Sequence, residues 1–359
     1  MKIGIVTFFR NANYGAMLQA LALWKYLESR GHEVKFIEGA ISQPMKLCGC
    51  ISRSWSEMKR RFRRYVREKC TTFAASYPVG TVNERYDVIV VGSDQMWNPT
   101  WMLPKLSFVF LSFAHPGCKR ISYAVSFGVR RWGDVCRDEV STMLARFDAI
   151  SVRESSGVSI VKDLCGRSAE VLPDPTLLWD GEYYRRLSAP EFCGSNNKRY
   201  VFSFMLDEWG DGEMEKACAV AAAKSIGVEE VRLAYDYGEF PLSLICRVVG
   251  IRAKLPVSQW LSLMDGATIV VTNSFHGMVF AILFRKPFVV IKHRGAAEQM
   301  NDRVETTLRM LGIEGRSVYA NESHLIEGVI KNEIDWRKVE ESIVYLRCLA
   351  DAYFMKVGI

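Results

Sequence analysis

Residues 266–284 read Gly-Ala-Thr-Ile-Val-Val-Thr-Asn-Ser-Phe-His-Gly-Met-Val-Phe-Ala-Ile-Leu-Phe, nineteen residues without a formal charge. Thr272, Asn273, Ser274, Phe275, His276 and Gly277 lie at the centre of the run. A membrane-spanning helix would have to bury Thr, Asn, Ser and His together at the bilayer midplane, which is expensive. The run divides better into a strand at 267–271, a short polar loop, and a helix opened by Gly277 that continues through Ala281 to Phe284. Residues 287–291, Pro-Phe-Val-Val-Ile, supply the next buried parallel strand and complete a βαβ unit. His276 then sits just past the carboxyl end of a strand and at a helix start. Open α/β sheets collect ligands there, and backbone N–H groups favour anions.

The same alternation runs outward in both directions. Towards the N-terminus, 3–8 is an apolar strand, 10–15 a loop bearing Asn and Gly, 16–30 an amphipathic helix closed by Gly31, and 34–37 a strand. Strands follow at 88–91, 121–125 and 149–152, with helices at 138–147 and 154–164. Pro173, Pro175, Asp180 and Gly181 punctuate the chain and place a hinge near 175–198. A second series has a strand at 200–204, a helix near 213–226, a strand at 231–233 and a helix at 258–264 that leads into the opening segment. Residues 335–356 form a long C-terminal helix, and no internal repeat is visible. The expected architecture is α/β: a Rossmann-like domain over 1–180, a second over 195–335 carrying the His276 loop, and a terminal helix over 336–359. The two domains face each other across a cleft.

A chain of 359 residues suits two α/β domains of ordinary size. With 49% hydrophobic and 24% charged residues and no low-complexity tract, disordered and fibrous classes are excluded. A strand starts almost at Met1 and leaves no room for a signal peptide, which points to the cytoplasm. The ten cysteines are scattered without a CxxC pair, so reduced thiols are expected. Cys48 and Cys50 lack further ligands nearby, so no metal is expected. The net charge of +7 is partly gathered in one basic segment that begins at Ser54 and ends at Lys69. There Trp55, Met58, Phe62, Tyr65 and Val66 form one helical face. Two readings fit: a surface helix packed by its aromatic face, or peripheral contact with anionic lipid head groups. No nucleic-acid partner is expected.

Several post-strand positions are candidates for chemistry. Among the histidines, His276 has the distinctive setting, with a glycine beside it for close approach and hydroxyl and amide groups to orient the ring. His293 follows the next strand and could approach the same cleft, but reads more readily as a loop-surface residue. Asn11, Tyr14 and Gly15 occupy the turn before the first long helix and suit an anion or sugar. Asp94, in the loop after the 88–91 strand, fits a ligand or base for acceptor hydroxyls, or a helix N-cap. Arg153 points at a sheet's carboxyl edge, with Glu154 or Asp174 as a structural ion-pair partner. Arg303, beyond the 287–291 strand, is placed to reach the His276 cleft, and arginine clamps carboxylate or phosphate with paired hydrogen bonds. Asp174, between two prolines, reads as a turn former.

Five ordered motifs carry a resemblance over about residues 2–312: Asn-Tyr-Gly-Ala-Met-Leu-Gln-Ala at 13–20, Gly-Ser-Asp-Gln-Met-Trp-Asn-Pro at 92–99, Ser-Val-Arg-Glu at 151–154, Leu-Pro-Asp-Pro-Thr at 172–176, and Thr-Asn-Ser-Phe-His-Gly at 272–277. Together they resemble the polysaccharide pyruvyl transferase family. The resemblance implies a two-domain fold of the glycosyltransferase B type. It also implies transfer of pyruvate from phosphoenolpyruvate to a sugar as a ketal, with no further cofactor, His276 as general acid or base and Arg153 as an anion-binding residue. The sugar acceptor is expected on a lipid-linked polysaccharide precursor. Better-studied members carry an arginine two residues before the histidine, where this chain has Ser274. The missing donor charge is therefore expected from Arg303 or Lys292, with Asn273 and Ser274 lining the site. Two rival readings stay open: a glycosyltransferase using a nucleotide sugar, and a non-catalytic carbohydrate-binding relative. Subunit number and the acceptor's hydroxyls are open as well.

Overall fold

The computed structural model describes residues 1–10, 13–39, 72–74, 76–190, 199–206, 212–233, 235–236 and 253–359. Asn11 and the basic segment 54–69 lie outside the described residues. The first sheet is parallel and contains β1 (Lys2–Val6), β2 (Glu33–Ile37), β3 (Val79–Gly80), β4 (Val88–Val91) and β5 (Lys119–Ser122), in the order β3-β2-β1-β4-β5. Single bridges from Ile121 to Ala149 and from Val125 to Val152 connect it to the parallel pair β6 (Ser151–Val152) and β7 (Glu170–Val171). The second domain begins with β8 (Tyr200–Phe204) and β9 (Glu230–Leu233), followed by the antiparallel pair β10 (Tyr235–Asp236) and β11 (Ala253–Lys254). Its main parallel sheet adds β12 (Ile269–Thr272), β13 (Phe288–Lys292) and β14 (Ser317–Tyr319), in the order β14-β13-β12-β8-β9.

The strands that carry the site read as unbroken apolar runs because both their faces are covered. Val88–Val91 and Ile269–Thr272 are buried at every position. Two expected boundaries shift in ways that matter. The first long helix spans Tyr14–Ser29, with Asn13 as N-cap accepting from the Ala16 N–H at 3.2 Å. Tyr14 and Gly15 are therefore inside the first helical turn, not in the loop before it. The helix after β12 spans Phe275–Leu283 and starts before Gly277, because Ser274 caps it by accepting from the Gly277 N–H at 3.3 Å. The expected polar loop shrinks to Asn273 and Ser274, and His276 stands in the first turn.

The two domains also make direct contacts with each other. Tyr14 stacks on Trp260 with ring centroids 4.9 Å apart and donates its hydroxyl to the Leu255 carbonyl at 2.8 Å. Such an aromatic pair adds about 0.5–1.5 kcal/mol beyond its burial. The N–H groups of Ser155 and Ser156, at the start of the Ser155–Cys165 helix, donate across the interface to Thr306 Oγ1 and Asp302 Oδ2 at 3.2 and 3.1 Å. The Asn301–Met310 helix thus caps a helix of the other domain. The terminal helix Trp336–Lys356 also returns to the first domain. Tyr353 donates to the Ser122 carbonyl at 2.6 Å, Arg347 to the Leu177 carbonyl at 2.8 Å, and Phe354 stacks on Tyr123 at 4.9 Å. One apolar core consequently runs from Ile3 to Phe354 through both sheets. No described helix is long and apolar enough to cross a membrane.

Candidate functional site

Arg153 is the first residue after β6, and its side chain is only 1% exposed. Its Nη1 donates to Asp174 Oδ2 at 2.8 Å, and its Nη2 lies 3.9 Å from Asp94 Oδ1. Of the two partners expected for Arg153, Asp174 is the one it engages. Glu154 turns the other way, and its Oε1 accepts from Ser126 Oγ and from the Phe127 and Gly128 N–H groups at 3.0, 2.7 and 3.2 Å. Burial pushes the Glu154 carboxyl above its ordinary range despite these donors and Arg153.

Asp174 is more than a turn former. It does cap a short helical turn, accepting from Thr176 N at 3.0 Å and Thr176 Oγ1 at 2.7 Å. It also accepts from Ser93 Oγ at 2.9 Å, and its Oδ2 lies 3.4 Å from His276 Nε2. Burial alone would raise its carboxyl. Attraction to His276 and Arg153 and the Thr176 bonds outweigh that and hold it well below the usual carboxylate range.

His276 comes to this carboxylate on the first turn of its helix and is 7% exposed. Its other side meets the first domain. A Cβ built on Gly15 would lie 2.0 Å from His276 Nδ1, so only glycine allows the two helix starts to approach this closely. Gly277 has a related role, because a Cβ there would lie 2.4 Å from Thr272 Oγ1.

Arg303 enters from the helix that caps Ser155 and Ser156, and it is 6% exposed. Its guanidinium lies 5.8 Å from the Phe275 ring centroid, and that of Arg153 lies 4.4 Å from the same ring. Burial first, then repulsion from Arg153, bring the Arg303 guanidinium down to about 10, although Asp94, Glu154 and Asp174 pull the other way. Arg153 Nε and Nη2, Arg303 Nε and His276 Nε2 are all buried without a hydrogen-bond acceptor. Each such donor costs about 1–3 kcal/mol, and an acceptor-rich anion would relieve several at once.

The remaining expected residues are placed differently. Lys292 extends its ammonium over the Tyr319 ring, 4.2 Å from the centroid. Asn273 accepts from the Leu206 N–H at 2.7 Å and so fastens the end of β8. Ser274 is occupied as the helix cap, and Tyr14 as an interdomain bolt. Asp94 is not an N-cap: it holds a left-handed backbone with φ of 68° and accepts from the adjacent Gln95 N–H at 2.9 Å. His293 is 4% exposed rather than at a loop surface, and its N–H donates to Asn301 Oδ1 at 2.9 Å. Sequence reasoning missed Asp174, Ser93, Thr176 and Phe275 as members of the cluster. The two prolines around Asp174 were the available signal, since they fix the backbone of a buried carboxylate. Among the described residues, no group of three or more His, Cys, Asp or Glu side chains is arranged to hold a metal ion.

Two solved structures share this architecture. One is a UDP-N-acetylglucosamine 2-epimerase, at 10% identity and TM-score 0.52 over 99% of this chain and 96% of the other. The second is S. aureus MnaA, solved with UDP, at 10% identity and TM-score 0.50 over 95% of this chain and 90% of the other. At such identity they establish the fold alone, a two-domain α/β arrangement of the glycosyltransferase B type with a returning C-terminal helix. No curated protein gives a significant sequence match. The polysaccharide pyruvyl transferase family matches residues 13–295, a span that holds Gly15, Asp94, Arg153, Asp174 and His276. By that match, covering most of its length, the chain belongs to the polysaccharide pyruvyl transferase family.

Proposed function

We propose that the protein moves pyruvate from phosphoenolpyruvate onto two hydroxyls of a sugar as a cyclic ketal. The observation that carries this reading is the pair of buried arginines, Arg153 and Arg303, with acceptorless N–H groups beside His276. Phosphoenolpyruvate has a carboxylate and a phosphate, and two planar guanidinium forks match two such groups. Arg303 fills the place left by Ser274, which is committed to capping its helix.

In the proposed reaction the methylene carbon takes a proton and the first sugar hydroxyl adds to the central carbon. Phosphate leaves, and the second hydroxyl closes the ketal. One hydroxyl proton is balanced by the new methyl group and the other departs with phosphate. His276 serves the proton transfers, which are worth about 10²- to 10⁴-fold. Because the arginines are shut away from solvent, substrate entry requires the domains to part around Tyr14 and Trp260. A lipid-linked acceptor is part of the proposal, with the basic segment 54–69 held against anionic head groups.

The deciding experiment incubates the protein with phosphoenolpyruvate and a panel of free and lipid-linked galactosides, following acceptor mass and phosphate release. The expected result is a pyruvylated acceptor, one phosphate per ketal, and a 10²- to 10⁴-fold loss in His276→Ala with its melting temperature retained. Equal rates in parent and variant, or tight uridine diphosphate binding with no pyruvyl transfer, would sink the reading. Flotation with neutral and anionic liposomes tests the membrane contact, and equal recovery would remove it.

A further inference from the structure

We propose that Asp174 is the positioning residue for His276: it keeps the ring proton on Nε2, so that Nδ1, the nitrogen beside Gly15, is the one that works on substrate. This inference takes from the reading above only that His276 performs the proton transfers.

The two ring nitrogens have opposite surroundings. Nε2 is enclosed, has no hydrogen-bond partner within ordinary range, and faces Asp174 Oδ2 at 3.4 Å. Nδ1 lies against Gly15, where a side chain on that residue would strike it. An ionised carboxylate can only accept, so the nitrogen turned towards it must carry the hydrogen. The lone pair of the neutral ring is then left on Nδ1. Catalytic hydrogen bonds are commonly loose before substrate binds, and 3.4 Å fits that state.

Asp174 itself has little freedom to turn away. It is held by Ser93 Oγ, Arg153 Nη1, Thr176 N and Thr176 Oγ1, all between 2.7 and 3.0 Å, and its backbone is set between Pro173 and Pro175. Asp94 Oδ1 approaches Arg153 instead, 3.9 Å from its Nη2. The arrangement fixes both the tautomer and the ring plane. It also explains why Gly15, already helical, must lack a side chain: any Cβ would sit on the working nitrogen.

The test is the tautomer of His276, read by ¹⁵N NMR of the full protein labelled at histidine, at a pH where the ring is neutral. The proposal expects hydrogen on Nε2 in the parent and in Ser93→Ala, which removes a different Asp174 donor. Asp174→Asn should give a mixture of tautomers and lower kcat by about 10²-fold or more. Hydrogen on Nδ1 in the parent overturns the proposal without any variant having to fold. An unchanged tautomer in folded Asp174→Asn overturns it as well. A parent that shows the Nε2 tautomer but transfers no pyruvyl group keeps this inference and removes the proposed reaction instead.

Discussion

Replacing Arg303 by methionine should make the free protein more stable and leave it unable to respond to phosphoenolpyruvate. The guanidinium is buried, and its fall from the ordinary 12.5 to about 10 corresponds to about 3 kcal/mol against the charged form. The sign follows from that direction. A base with a depressed folded value is charged in both states at neutral pH, so folding bears the whole cost below about 10. Methionine removes it and keeps an unbranched apolar stem of similar reach beside Met300. The variant gives up the cation–π contact with Phe275, about 0.5–2 kcal/mol. The net gain is about 1–3 kcal/mol, a rise of a few degrees in melting temperature. Phosphoenolpyruvate at 100 times its Kd should stabilise the parent by about 2.7 kcal/mol and the variant hardly at all. Thermal unfolding with and without ligand measures both quantities. A variant that melts below the parent yet gains as much from phosphoenolpyruvate would refute the reasoning, because Arg303 would then be a structural residue.

Three further outcomes test neighbouring parts of the site. Gly15→Ala would gain about 1 kcal/mol in an ordinary helix interior, but its methyl would lie 2.0 Å from His276 Nδ1, where overpacking costs about 1–3 kcal/mol. Turnover should fall about 10²-fold as the ring is displaced, and equal kcat and melting temperature would contradict the contact. Glu154→Gln keeps an oxygen for the Ser126, Phe127 and Gly128 donors and removes a carboxylate that burial disfavours. It should therefore melt higher at neutral pH. That advantage should shrink as pH falls below the raised folded value and the parent's carboxyl becomes neutral, and an advantage constant across that range would count against it. Asp302→Ala with Thr306→Ala uncaps Ser155 and Ser156 across the domain interface. The pair should cost about 1–3 kcal/mol and raise KM more than it lowers kcat, since it loosens the helix that delivers Arg303.

The parallel sheets were legible because their strands are buried on both faces. Residues 88–91 and 269–271 therefore read as short unbroken apolar runs, as strands covered on both faces do. His276 and Arg153 stood out for a related reason: each follows a strand whose carboxyl end is fixed by the βαβ repeat. Asp174 stood out only as a turn former and a pairing choice for Arg153, because its two proline neighbours explain it locally and nothing in the chain reveals that His276 will reach it too. Helix starts were also misjudged. Asn13 and Ser274 act as caps, which draws Tyr14, Gly15 and His276 into first turns rather than loops.

By itself, then, the sequence determined the two α/β units, the family, and the strand ends after which Arg153 and His276 stand, because periodicity and motif order are local properties of the chain. Only the tertiary structure decided what meets there. It set Gly15 of one domain against His276 of the other, turned Nε2 to Asp174, brought Arg303 to the ring that Arg153 already covers, and sent Lys292 to Tyr319. Those choices depend on how two separately written domains pack, on which caps fix the helix starts, and on buried charge that is stable only in company. No stretch of sequence carries that information alone.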